Sequence, residues 1–101
     1  MGPCRKLDLE KDLMRICRGL QALAHPTRLK IICAIYHQEL TVQGIARFVD
    51  SSPSNISQQL SRLYDLKLLN RRRVKNRIYY SLKDEHIVKI IDTIDQNTAA
   101  A

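Results

Sequence analysis

The stretch from Asp50 to Leu63 constrains this chain more than any other: an Asp-Ser turn running into "SPSNISQQLSRL". Ser52 is a helix N-cap by type, because its hydroxyl can accept a hydrogen bond from an orphan N–H of the first turn. Pro53 then fills the first helical position, where its missing N–H costs nothing. Ile56, Leu60 and Leu63 recur at four and three residues, which puts one apolar stripe on a helix. The other positions carry Ser54, Asn55, Ser57, Gln58, Gln59, Ser61 and Arg62, with no charge before Arg62. Amides and hydroxyls both donate and accept, which suits the donor and acceptor pattern of a DNA major groove. The same pattern also describes an ordinary amphipathic surface helix, so the neighbouring segments must decide between the two.

Charge separates them. The net charge is +7 over 101 residues. A small domain this basic calls for a polyanion partner, nucleic acid or an anionic membrane surface. Residues 50–83 hold eight Lys and Arg against two Asp and Glu, a net of +6, and the remainder holds nine against eight, a net of +1. The positive charge therefore sits on the polar helix and on the segment just after it. No apolar run approaches the roughly 20 residues of a membrane span, and the N-terminus lacks the apolar core of a signal peptide. The expectation is a cytoplasmic protein without a membrane partner. Three cysteines, an odd count with no secretion signal, argue against a disulfide framework.

Taken in order, the chain reads as one domain over residues 1–101, mainly α with a small β-hairpin. A first helix is predicted over about 7–24, with Leu9, Leu13, Ile16, Leu20 and Leu23 stepping by four and three. It is more apolar around its girth than a surface helix needs to be, so it suits a partner chain as well as its own core. His25-Pro26 ends it, since a residue before proline disfavours the α region. A second helix over about 26–37 places Leu29, Ile32, Cys33 and Tyr36 on one buried stripe, widened by Ile31 and Ile35. Gln38-Glu39-Leu40 reads as a connection. Thr41 caps a third helix over 42–49, with Ile45, Phe48 and Val49 inward and with Gly44 implying close packing on a neighbouring helix. The turn Asp50-Ser51 leads into the fourth helix, about 52–66. Two short helices joined by a tight turn, the second polar on one side, is the helix-turn-helix arrangement.

Residues 68–82 read as a hairpin, with Ile78, Tyr80 and Leu82 alternating with Arg77, Tyr79 and Ser81. Lys75-Asn76 makes the turn, where Asn tolerates positive φ. Arg71, Arg72, Arg73, Lys75, Asn76 and Arg77 crowd the tip. That suits a wing holding phosphate or entering a minor groove. Edge charges that block aggregation are the alternative, but three consecutive arginines exceed that need. A fifth helix over about 85–96 follows Asp84, with Ile87, Ile90, Ile91 and Ile94 on one side. Three glycines, no phosphate loop, no complete metal set and no nucleophile with a base at motif spacing leave nothing for an enzyme, and no cofactor is implied.

The order helix, helix, helix-turn-helix, hairpin, helix carries a resemblance. With "LQALAHPTRLKIICAI", then "ELTVQGIARFV" continuing through "SPSNISQQLSRL", then "RRRVKNRIYYSL", it resembles the ArsR/SmtB family of bacterial transcriptional repressors over nearly the whole chain. The resemblance implies a winged helix-turn-helix fold and a homodimer through the first and last helices. It also implies binding to an imperfectly palindromic double-stranded operator, and release by an inducer. By the family motif, Ser54, Asn55 and Gln58 fall where bases are read. Ser57, Gln59 and Arg62 fall at or beside backbone contacts. Many members carry His where this chain has Gln59, and usually Gly where it has Lys67. If the backbone there is left-handed, Lys should cost roughly 1 kcal/mol.

The inducer is less legible. The arsenic and cadmium sensors carry a CxC motif whose cysteines correspond to Thr41 and Gln43, so that site is absent. The zinc-type sensors pair an Asp-x-His with a second pair eleven residues on. Asp84 and His86 remain as a remnant, but the later pair corresponds to Asn97 and Ala100 and cannot complete a tetrahedral site. The reading preferred for the pair is that Asp84 is a helix cap and His86 a surface residue. Cys33 matches a cysteine of the HlyU/BigR-like thiol-sensing branch, whose C-terminal partner cysteine is missing here. Cys17 or Cys4 would have to replace it. The alternatives are that Cys33 and Cys17 are small buried hydrophobes, that a non-standard metal site exists, or that DNA binding is constitutive.

Overall fold

The computed structural model describes residues 9–99, and Cys4, Leu7 and Ala100 lie outside them. Five helices and three short strands follow in the order α1 (Leu9–Leu23), α2 (Pro26–Tyr36), β1 (Leu40–Thr41), α3 (Val42–Val49), α4 (Pro53–Asp65), β2 (Leu69–Val74), β3 (Arg77–Leu82) and α5 (His86–Ala99). No described helix is long and apolar enough to cross a membrane.

The expected hairpin is present, with Leu69 opposite Leu82 and Val74 opposite Arg77. The connection before α3 is more than a connection. Leu40 and Thr41 pair with Tyr80 and Tyr79, giving a three-stranded antiparallel sheet in the order β1-β3-β2. Two residues are too few for a period-two signal, so this strand is invisible in the sequence. It ties the middle of β3 to the start of α3.

The core is built by residues facing inward from α2, α3, α4 and the sheet. Ile31, Ile35, Ile45, Ile56, Leu60 and Leu63 are fully buried and pack with Val49, Leu69 and Tyr80. Two expected inward faces are corrected. On α3 the buried positions are Ile45, Ala46 and Val49, and Phe48 is 66% exposed. At about 100° per residue, Ala46 and Val49 share a side with Ile45 that excludes Phe48, and alanine there lets the next helix approach. On α2 the buried set is Ile31, Ile32, Ala34 and Ile35, while Cys33 and Tyr36 are exposed. Cys33 lies about half a turn from the Ile31–Ile35 face. Gly44 is also corrected. A Cβ added there would meet Leu40 and Thr41 side chains at 3.5 Å, ordinary contact, with no neighbouring helix pressed against it.

Caps define the helix ends. His25 Nδ1 accepts from the Thr27 N–H, Thr41 Oγ1 from Gly44 N–H, and Ser52 Oγ from Asn55 N–H. The His25 cap has no clear sequence signal, because histidine is not among the strongly preferred N-cap types. Asp50, with φ 59°, closes α3 in the left-handed region. At the end of α4, Lys67 N–H donates to Tyr64 O at 2.8 Å and Leu68 N–H to Leu63 O at 3.1 Å. This is a Schellman closure with Lys67 at the left-handed position, φ 65°. Lysine in that region costs about 1–2 kcal/mol, offset in part by the greater unfolded-state freedom of glycine. Lys67→Gly is therefore expected to stabilise the fold by about 0.5–1 kcal/mol. Urea unfolding should show a higher midpoint at unchanged slope. A lower midpoint would mean that Lys67 makes a compensating contact. At the wing tip the left-handed residue is Lys75, φ 57°, and not Asn76 as expected.

Candidate nucleic-acid interface

The polar side of α4 is held rigidly from behind. Ile56, Leu60 and Leu63 are at 0% exposure, so the helix cannot roll without opening the core. Ser54, Ser57, Gln58, Ser61 and Arg62 are left exposed. Asn55 is half-buried, and its Nδ2 donates to Ser51 Oγ at 2.9 Å. That fixes the side chain and leaves one N–H and the carbonyl oxygen, enough for a two-point contact to adenine.

Gln59 does not share that face. It is half-buried, and its Oε1 accepts from Arg28 Nε at 2.7 Å. The family motif assigns it to the DNA backbone; the structure shows it linking α4 to α2. The link is not legible in sequence because it joins residues 31 apart.

The wing arginines divide in the same way. The Arg71 guanidinium sits 4.0 Å over the Tyr64 ring, at the C-terminal end of α4. Arg72 makes a fork-like pair with Glu39, Nε and Nη2 donating to the carboxylate at 2.8–3.0 Å. That hydrogen bond holds the Glu39 carboxyl below its ordinary range, and the carboxylate raises the Arg72 pKa in turn. Arg72 thus braces β2 to the segment before β1. Arg73 Nε donates to Lys75 O across the turn at 3.3 Å, and the side chain is otherwise exposed. Lys75, Asn76 and Arg77 are exposed.

Helix and wing meet in one concavity. A cleft of about 700 Å³ is lined by Ser54 and Ser57 of α4, Asn76 and Arg77 of the wing, and Gln43 and Arg47 of α3. Sequence reasoning misses Gln43 and Arg47. A signal is present, since the two fall four apart on the polar side of α3. Hydroxyl donors at one wall and guanidiniums at the others suit a phosphate backbone running between wing and helix.

The candidate inducer groups are placed apart from this surface. Asp84 Oδ1 accepts from the His86 backbone N–H at 2.8 Å and contacts His86 Nδ1 at 2.6 Å. The backbone hydrogen bond, followed by the imidazole contact, holds the Asp84 carboxyl below its usual range. The pair thus serves the start of α5. No group of three metal-ligating side chains occurs among the described residues. Cys17 on α1 and Cys33 on α2 are free and exposed, which corrects the reading of either as a buried filler.

The family model for "Bacterial regulatory protein, arsR family" matches residues 25–71, from the α2 cap into β2. The transcriptional regulator YgaV of Escherichia coli (strain K12) is 38% identical over 76 residues, 74% of this chain and 77% of that protein. The chain belongs to the ArsR/SmtB family. A Synechocystis sp. transcriptional repressor described as an SmtB homologue is 41% identical over 69 residues, 68% of this chain but only 52% of the relative's length. The crystal structure of NolR from Sinorhizobium fredii superposes over 100% of both chains with a TM-score of 0.83 and 31% identity. The fold is accordingly the winged helix-turn-helix of ArsR-family regulators. In it, α3 and α4 form the helix-turn-helix and β2–β3 the wing.

Proposed function

We propose that this chain is a homodimeric, sequence-specific transcriptional repressor of the bacterial type. In this reading α4 reads operator bases through Ser54, Asn55 and Gln58. Ser57 and the wing residues Arg73, Lys75, Asn76 and Arg77 hold the adjoining phosphates. The observation that carries it is the shared cleft, in which uncharged donors of α4 and cations of α3 and the wing face one another. The relatives' descriptions as transcriptional repressors and regulators fit it. Arg71 and Arg72 are assigned a bracing role instead, through Tyr64 and Glu39.

Dimerisation is supported by an apolar surface that one copy leaves uncovered. Leu13, Ile16 and Leu20 of α1 and Ile90 and Ile94 of α5 are 38–57% exposed. Leu20, Leu23, Ala24, Leu29, Ile90, Ile91 and Ile94 enclose an almost wholly apolar groove of about 330 Å³. Pairing through these helices would set two copies of α4 about 34–36 Å apart, for half-sites in successive major grooves of an imperfect palindrome.

The test is fluorescence anisotropy with a promoter fragment from the protein's own operon, over a salt series. Arg77→Gln is expected to flatten the salt dependence by about 0.9 in slope, the value of one phosphate contact, while Arg72→Gln leaves the slope unchanged. The opposite ranking would remove the wing assignment. Release by thiol chemistry is the inducer reading with an observation behind it, namely two exposed free thiols. Oxidation of the reduced protein should lower affinity in the same assay, and Cys33→Ser should abolish the response. Binding indifferent to thiol state would leave a constitutive repressor.

A further inference from the structure

The flank of α4 away from the wing carries a second cationic concavity. A cleft of about 340 Å³ opens between α1, α2 and the C-terminal half of α4, lined by Arg18, Gln21, Arg28, Arg62 and Asp65. Three arginines and one aspartate line it. Arg28 is fixed in place, with Nε donating to Gln59 Oε1 at 2.7 Å and Nη1 to the Ala22 carbonyl at 3.4 Å. A guanidinium has five N–H donors, so three remain unspent. Arg18 and Arg62 are both exposed, and neither forms an ion pair with a described residue. Three arginines against one aspartate leave the cleft net positive, and an anion there would neutralise the excess. The arginine fork matches phosphate oxygens two at a time.

The position of the cleft names the anion. Arg62 follows Gln58 by four residues, so both lie on one face of α4. The cleft thus extends the base-reading face toward the C-terminal end of the helix, while the wing cleft with Arg47 and Arg77 adjoins its N-terminal turn. A major groove about 12 Å wide is bounded by two phosphate backbones. A helix seated in it has one backbone on either side. The wing serves one, and Arg18, Arg28 and Arg62 are placed for the other. At about 100° per residue, Arg18 lies on the side of α1 opposite Leu13, Ile16 and Leu20, so pairing two copies through that stripe leaves the cleft open.

We propose that this cleft is an oxyanion site for a phosphate group, filled in the DNA complex by a backbone phosphate of the strand across the groove from the wing. The inference rests on the DNA-binding reading above. It makes α1 and α2 part of the DNA surface, with Arg28 as the preorganised donor and Gln59 as its positioning residue.

The test compares wild type with an Arg18→Gln, Arg62→Gln double variant by anisotropy on operator and unrelated duplexes across a salt series. Thermal unfolding reports that the variant folds. The expected result is a slope of log K against log salt reduced in magnitude by about 0.9, the same on both duplexes, at an unchanged Tm. A parallel titration of the DNA-free proteins with inorganic phosphate, followed by amide NMR shifts, separates the sources. Saturable shifts lost in the variant, with an unchanged DNA slope, would uphold the oxyanion site and assign it to free phosphate. An unchanged slope without a phosphate response overturns the proposal while wild-type DNA binding still stands. Wild-type protein that binds neither DNA nor phosphate overturns both readings.

Discussion

A Leu20→Glu, Ile94→Glu double variant is expected to be a folded monomer that binds operator DNA at least about 100-fold more weakly than wild type. Both side chains are more than half exposed in one copy, at 54% and 57%. A carboxylate at either site therefore stays in water in the monomer and costs little folding energy. In a dimer both sites would be covered, and an unpaired buried charge there is strongly opposed. Losing the second copy makes binding of the second half-site bimolecular again, which is the origin of the factor of about 10²–10⁴ that tethering supplies. Light scattering gives the mass, far-ultraviolet circular dichroism the fold, and anisotropy the affinity. A variant that remains dimeric would place the interface elsewhere. A wild type that is monomeric at micromolar concentration would leave the exposed leucines and isoleucines without an explanation.

The helices, their order and the wing are legible in the sequence because each rests on a local signal. The signals are apolar residues at three and four, caps at Thr41 and Ser52, and alternation through Ile78, Tyr80 and Leu82. What escapes is set by contacts between distant segments. Phe48 and Cys33 read as inward because each is apolar and near the stripe, yet the side a helix buries depends on its neighbours, and α3 turns Ala46 inward instead. Gln59 falls among the DNA contacts through the family motif, and Arg71 and Arg72 through their charge and their place in the hairpin. Their partners Arg28, Tyr64 and Glu39 are protein groups that no spacing rule connects to them. The same distance hides the α1–α2–α4 cleft, since its three arginines fall on three different helices.

Gln58→Ala is expected to weaken binding to the operator by about 1–3 kcal/mol, roughly 5- to 150-fold, and to leave binding to unrelated DNA nearly unchanged. Gln58 is exposed on the first half of α4, flanked on its face by Ser54 and Arg62, and its amide has no protein partner among the described hydrogen bonds. A side chain with both donor and acceptor unspent can satisfy a base edge. Its removal leaves that edge facing alanine and costs discrimination, not charge. The neighbouring Gln59→Ala gives the contrast. It breaks the bond to Arg28, so it should lower stability and, through Arg28, weaken operator and unrelated duplexes alike. Two adjacent glutamines thus predict opposite signatures from one helix. Equal losses on both DNAs for Gln58→Ala would place it with the backbone contacts and shift sequence reading onto Ser54 and Asn55.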